Sequence, residues 1–112
     1  MDTHEGLRLA KRFADALRAR GYPVLEAFLF GSVAKGTADA DSDIDIAVVC
    51  EPFAASRGEE STRLLLVSKD IDRRIETVCL HPEDFDNRYS TLVEEVKRYG
   101  IPASAVHTAA SS

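Results

Sequence analysis

The sequence predicts an α/β fold: a small mixed β-sheet of three to four strands with helices packed on one side. Three short runs rich in apolar and β-branched residues, Val24 to Phe30, Asp43 to Val49 and Arg74 to Leu80, have the length and composition of strands. Segments with helical spacing of apolar residues stand before, between and after them. The length of 112 residues suits one domain that builds a single core without staples.

The first element reads as an amphipathic helix from about Glu5 to Arg20. Leu9, Ala10, Phe13, Ala14 and Leu17 line one side, while Arg8, Lys11, Arg12, Asp15 and Arg18 cover the other. Gly21 and Pro23 end it, because Gly takes a left-handed cap and Pro cannot continue a helix. The strand Val24 to Phe30 follows. From Gly31 to Ser42 the chain is dominated by Gly, Ser, Thr, Ala and Asp, with Lys35 its one cation, which suits a loop or a single helical turn. In the second strand Asp43, Asp45 and Ala47 share one face, and Ile44, Ile46 and Val48 the other. Residues from about Glu59 to Lys69 favour a helix, although Leu64-Leu65-Leu66-Val67 alone is ambiguous. In the third strand Glu76, Val78 and Leu80 face away from Ile75, Thr77 and Cys79. Pro82-Glu83-Asp84-Phe85 reads as a helical turn with Pro at its preferred position. For the last helix, Thr91 and Glu94 suggest a capping box, Leu92, Val93, Val96 and Tyr99 form the apolar stripe, and Gly100 and Pro102 stop it. The domain is expected over residues 5–102, with a flexible Ala/Ser-rich tail over 103–112.

Apolar residues make up 45% and charged residues 29%, an ordinary globular balance. With 14 Lys and Arg against 19 Asp and Glu, the net charge is −5. Such a surface has no footprint for unspecific nucleic-acid binding and repels anionic lipid, so a phosphate-bearing substrate needs a local cation. No apolar run approaches the ~18 residues of a membrane span. The acidic, polar start Met1-Asp2-Thr3-His4-Glu5 is the opposite of a secretory signal. Cys50 and Cys79 lack Cys-x-x-Cys spacing and read as buried small hydrophobes in a reducing compartment, so a cytoplasmic location is expected. His4, His81 and His107 are far apart, and none has a partner at i+3 or i+4 for a metal; His81-Pro82 reads as a turn.

The chemistry-bearing feature is a pair of acids, Asp43 and Asp45, two residues apart in a strand and preceded by Gly31-Ser32. Acids at this spacing start roughly 6.5–7 Å apart along the backbone, so their carboxylates can converge. Two bare carboxylates at ~4 Å repel by about 4 kcal/mol at an effective dielectric of ~20. A proton, open water or a cation must relieve this, and magnesium takes one or two carboxylates together with substrate phosphates. Glu76 on the next strand can join them. The competing reading is a solvent-facing strand edge where charges block aggregation, with Glu76 a surface acid. Asp39 and Asp41 read as turn residues. At Gly31 backbone can approach a ligand closely, and Ser32 can open a helical turn whose N–H groups favour phosphate, with Lys35 as helper. A plain strand-to-helix turn with an N-cap Ser explains the same residues. Together, Gly-Ser, ten residues and Asp-x-Asp form a pattern expected by chance on the order of once in a thousand chains of this length.

Phe30-Gly31-Ser32-Val33-Ala34-Lys35-Gly36-Thr37 through Ser42-Asp43-Ile44-Asp45-Ile46 resembles the signature of the polymerase-β-type nucleotidyltransferases, and the length is similar to that of their minimal branch. The resemblance implies that Gly31 and Ser32 hold a nucleoside triphosphate, ATP above all, beside which the Lys35 read above as helper would stand. It also implies that Asp43 and Asp45 ligate two magnesium ions and that Glu76 takes the third-carboxylate position, where the family often has Asp; Asp70, Asp72 and Glu83 compete for that place. The implied reaction moves a nucleoside monophosphate, AMP, onto an acceptor hydroxyl. Minimal members resemble the antitoxin half of a two-protein system whose partner is a helical HEPN-type toxin, modified on a tyrosine. Two other functions remain open at this point: an antitoxin-like protein that neutralises its partner by binding alone, and a nucleotide sensor without turnover.

Overall fold

Asp2 opens the first helix, α1 (Thr3–Ala19), by accepting the Glu5 backbone N–H at 2.7 Å. The helix therefore begins two residues earlier than its apolar stripe announces. The computed structural model describes residues 2–39 and 42–105. Strand β1 (Val24–Phe30) runs directly into a single helical turn, α2 (Gly31–Lys35), which closes on Gly36 in the left-handed conformation. Strand β2 (Ile44–Cys50) leads to α3 (Arg57–Ile71) and then β3 (Ile75–Leu80). A 3-10 turn (Pro82–Asp86), α4 (Thr91–Tyr99), the two-residue β4 (Ile101–Pro102) and a second 3-10 turn (Ala103–Ala105) complete the described chain.

The sheet order is β3-β2-β1-β4. β1 is antiparallel to both β2 and β4, whereas β2 and β3 are parallel, with α3 as the crossover that a parallel pair requires. This is the expected mixed sheet, at the upper end of the predicted strand number. Pairing of β2 with β3 starts at Ile44 opposite Ile75, so Asp43 stands one residue ahead of the strand rather than within it.

The two long helices cover one face, as expected. Ala10, Phe13, Ala14 and Leu17 of α1 and Leu64 and Val67 of α3 pack on Ala27, Leu29, Ile44, Ile46, Val48 and Ile75. Of the ambiguous Leu64–Val67 run, Leu65 and Leu66 face out. The opposite face has a smaller core that the sequence did not announce. There Val93 and Val96 of α4 pack on Phe30, Ala47, Val49 and Leu80, with Phe28, Phe85 and Leu92 at its margin.

Three boundaries differ from expectation for local reasons. Ser56 caps α3 through the Glu59 N–H, moving its start back to Arg57. Ser90, not Thr91, caps α4 by accepting the Val93 N–H at 3.2 Å, so Thr91 is the first helical residue and the predicted capping box does not form. Ala103 is buried and the Ser104 hydroxyl donates to Glu26 at 2.7 Å, so residues 103–105 of the expected tail pack on the domain. The remainder of that tail lies outside the described residues.

Candidate functional site

Phe30, the last residue of β1, lies opposite Asp45 of β2. The chain must leave the sheet at once to enter α2, and Gly31 makes the corner at φ +71. A Cβ at this position would collide with the Asp45 carboxylate, so absence of a side chain serves both the left-handed backbone and the close approach. The turn that carries Gly31 and Ser32 is thereby seated directly against an acid of the neighbouring strand. The Ser32 carbonyl accepts the Thr37 N–H at 3.0 Å, while its hydroxyl makes no hydrogen bond among the described residues. In the following loop the Ser42 hydroxyl donates to Asp39 at 3.2 Å, as expected of a turn residue; Asp41 lies outside the described residues.

Glu76 is in register with Asp45 across the parallel β2–β3 pair, so the two side chains project from the same face as neighbours. Asp43, two residues before Asp45, is exposed at the start of the strand. The competitors of Glu76 are engaged elsewhere. Asp72 grips Arg74 at 2.8 Å, Asp70 meets Arg20 at 3.3 Å, and Glu83 approaches Arg57 at 4.0 Å.

The pattern had not pointed to Glu95, on α4. Partial burial raises the Asp45 carboxyl above its ordinary value, and the charges of Asp43, Glu76 and Glu95 raise it further. Four acids therefore act on one spot. Glu95 lies one turn after Leu92 and one turn before Tyr99 on the helix, and that position within the apolar stripe was the available signal. Lys35 reaches across from α2 to Glu95 at 3.0 Å, with its ammonium 4.5 Å from the centre of the Tyr99 ring. The predicted phosphate helper thus already joins α2 to α4 at the margin of the acidic group.

These donors are all oxygen, which suits a hard divalent cation rather than a thiol- or imidazole-seeking one. The crowding recorded by Asp45 is the kind that a cation relieves. The oxygens of Asp43, Asp45 and Glu76 do not themselves gather within 4.8 Å of one another. Among the described residues such a group of three forms elsewhere, from Glu60, Cys79 and His81. The sequence alone places His81 in a turn and Cys79 among the small buried hydrophobes. Their i, i+2 spacing places them on one side of a continuing strand, but Glu60 reaches them only through the packing of α3.

No helix among the described residues is long and apolar enough to cross a membrane. Residues 10–101 match the family described as nucleotidyltransferase domain. No curated protein matches the sequence. Among solved structures, the fold is similar to that of a Sulfolobus solfataricus protein assigned as a nucleotidyltransferase, with 21% identity over 89% of this chain and 80% of that one and a TM-score of 0.63. It is also similar to a chain of a toxin-antitoxin complex with AMP-PNP, with 24% identity, coverage of 86% and 71% and a TM-score of 0.55. A mutant toxin-antitoxin MntA-HpeT structure matches with 22% identity, coverage of 88% and 73% and a TM-score of 0.52. With the family match spanning most of the sequence and the same fold in all three structures, the chain belongs to the nucleotidyltransferase domain family.

Proposed function

We propose that this chain is a magnesium-dependent nucleotidyltransferase that moves AMP from ATP onto a hydroxyl of a partner protein, a helical HEPN-type toxin. The observation that carries the reading is the contact between the Gly31 turn and Asp45, which joins a close-approach backbone turn to a crowded acidic strand end. The AMP-PNP and toxin-antitoxin contexts of two structural neighbours support the donor and the partner class. A cytoplasmic location fits the two free thiols.

In this reading the N–H groups at the start of α2 and the Ser32 hydroxyl hold the triphosphate beside Asp45. Asp43 and Asp45, with Glu76 beside them, would hold magnesium, which supplies charge neutralisation for the nucleophile and for departing pyrophosphate. The acceptor oxygen bonds to the α-phosphorus as the bond to pyrophosphate breaks, and the hydroxyl proton passes to Glu76 or to water. Positioning and charge compensation account for the rate, since little other chemistry is asked of the protein.

Thermal unfolding with each nucleoside triphosphate, with and without magnesium, tests the site. A ligand at a hundred times its dissociation constant adds about 2.7 kcal/mol, on the order of ten degrees for a domain of this size. The expected result is a magnesium-dependent rise, largest with ATP and lost in the Asp43→Asn/Asp45→Asn variant. Transfer of α-phosphate label to a helical HEPN-type toxin then tests the acceptor. Neutralisation of that protein by the double variant as well as by wild type would show that binding, not transfer, is the function.

A further inference from the structure

At the other end of β2 and β3, and on the other face of the sheet, three metal-ligating side chains meet, and a fourth, Cys50, touches one of them. Glu60 comes from α3 and is 1% exposed; His81 immediately follows β3 and is 7% exposed. The Glu60 Oε1 and His81 Nε2 atoms are 2.7 Å apart, and one ligand atom from each of Glu60, Cys79 and His81 lies within 4.8 Å of the other two. Cys50, at the end of β2, places its Sγ 3.6 Å from that of Cys79.

We propose that this cluster is a zinc site, with Cys50, Cys79, His81 and Glu60 as ligands. The donor set is two sulfurs, one imidazole and one carboxylate, the combination that a borderline cation such as Zn2+ takes in a closed four-coordinate site. Zinc bond lengths of about 2.0–2.3 Å put tetrahedral ligands about 3.3–3.8 Å apart. The Cys50–Cys79 separation matches that spacing, the Glu60–His81 pair needs to open by about half an ångström, and Cys50, outside the group of three, needs to close on the remaining ligands. Glu60 is oriented for the task. Its Oε2 accepts the Phe53 N–H at 2.7 Å and the Ala54 N–H at 3.3 Å, which leaves Oε1 aimed at the cluster. His81 also borders a surface pocket of about 270 Å³, whose other lining residues, Pro52, Pro82, Glu51 and Glu83, include two acids that attract a cation. Binding displaces the two thiol protons to solvent, so uptake releases acid. This site shares no residue with the nucleotide site and stands whether or not transfer occurs.

Metal-free protein, stripped with a chelator and kept reduced with a phosphine, is titrated with Co2+ and then Zn2+ in the presence of a chromophoric competitor. One equivalent binds, Co2+ gives intense thiolate-to-metal charge-transfer absorption, and Zn2+ raises the melting temperature by several degrees. Asp43→Asn/Asp45→Asn leaves all three unchanged, whereas Cys79→Ser, a substitution of nearly equal size, lowers zinc affinity at least tenfold and removes most of the absorption. A wild-type cobalt complex without charge-transfer bands overturns the proposal without recourse to any variant. So does zinc binding that survives Cys79→Ser but is lost with the two aspartates, or the absence of any uptake at micromolar zinc.

Discussion

The two ends of the β2–β3 pair handle buried or half-buried charge in opposite ways. At the start of the strands Asp43, Asp45, Glu76 and Glu95 crowd together, with Lys35 compensating only Glu95 at the margin. At the far end Glu60 is more deeply buried, yet its carboxyl is held below its ordinary value. Burial pushes it up, but the Phe53 N–H, His81 and the Ala54 N–H together outweigh that effect. A satisfied anion contributes to folding, whereas a crowded set of like charges subtracts from it and waits for a ligand. The lesson is that depth of burial alone does not mark a site; the balance of partners does.

The largest expected effect breaks the satisfied end. Glu60→Ala leaves two backbone N–H groups and His81 without their carboxylate, at a cost of about 3–5 kcal/mol in urea unfolding of the metal-free protein. A loss below 1 kcal/mol would mean that the contrast between the two ends is false. Next comes Gly31→Ala, which places a side chain at φ +71 against Asp45 and costs about 1–3 kcal/mol. The cost should shrink in an Asp45→Ala background, where the methyl meets no carboxylate; equal costs in the two backgrounds would place the strain in the backbone alone.

Titration sharpens the comparison, with both ends studied in chelator. Asp45 has a raised carboxyl in the fold, so between its unfolded value of 3.8 and that raised value the folded state holds the extra proton. Its contribution therefore worsens as pH rises through this window, and Asp45→Asn stabilises the protein at neutral pH but not below pH 3.8. Glu60 has the opposite sign: its contribution is full above the unfolded value of 4.5 and disappears as pH falls through its lower folded value. The stability difference between wild type and each variant, followed by denaturant unfolding from pH 3 to 8, should slope in opposite directions. Parallel slopes would refute the assignment. The smallest effect is Lys35→Met, about 0.5 kcal/mol, because both the ion pair with Glu95 and the Tyr99 contact are partly exposed.

Much of this was legible in the sequence because it rests on neighbours along the chain. The span of β1, the Gly31 corner and the alternation that puts Asp45 and Ala47 opposite Ile44, Ile46 and Val48 follow from local steric rules and the two-residue strand period. Caps were harder: Asp2, Ser56 and Ser90 each compete with nearby Ser, Thr or acidic residues, and only backbone geometry selects the one that accepts the free N–H. Glu76 was identifiable as a candidate beside its rivals, but its register with Asp45 and the pairing of Asp70, Asp72 and Glu83 with Arg20, Arg74 and Arg57 are tertiary facts.

The α/β class and the Gly31-Ser32…Asp43-x-Asp45 arrangement are readable from the chain alone, since both depend on spacing within a few turns or one strand pair. Tertiary packing alone brings the charge of Glu95 to bear on Asp45, across 50 residues, and joins Glu60 to His81, across 21. Only it brought Cys50 to Cys79, 29 residues away. The first two follow from how α4 and α3 pack on opposite faces of the sheet and the third from the β2–β3 register, and such contacts between distant segments leave no period or motif along the chain.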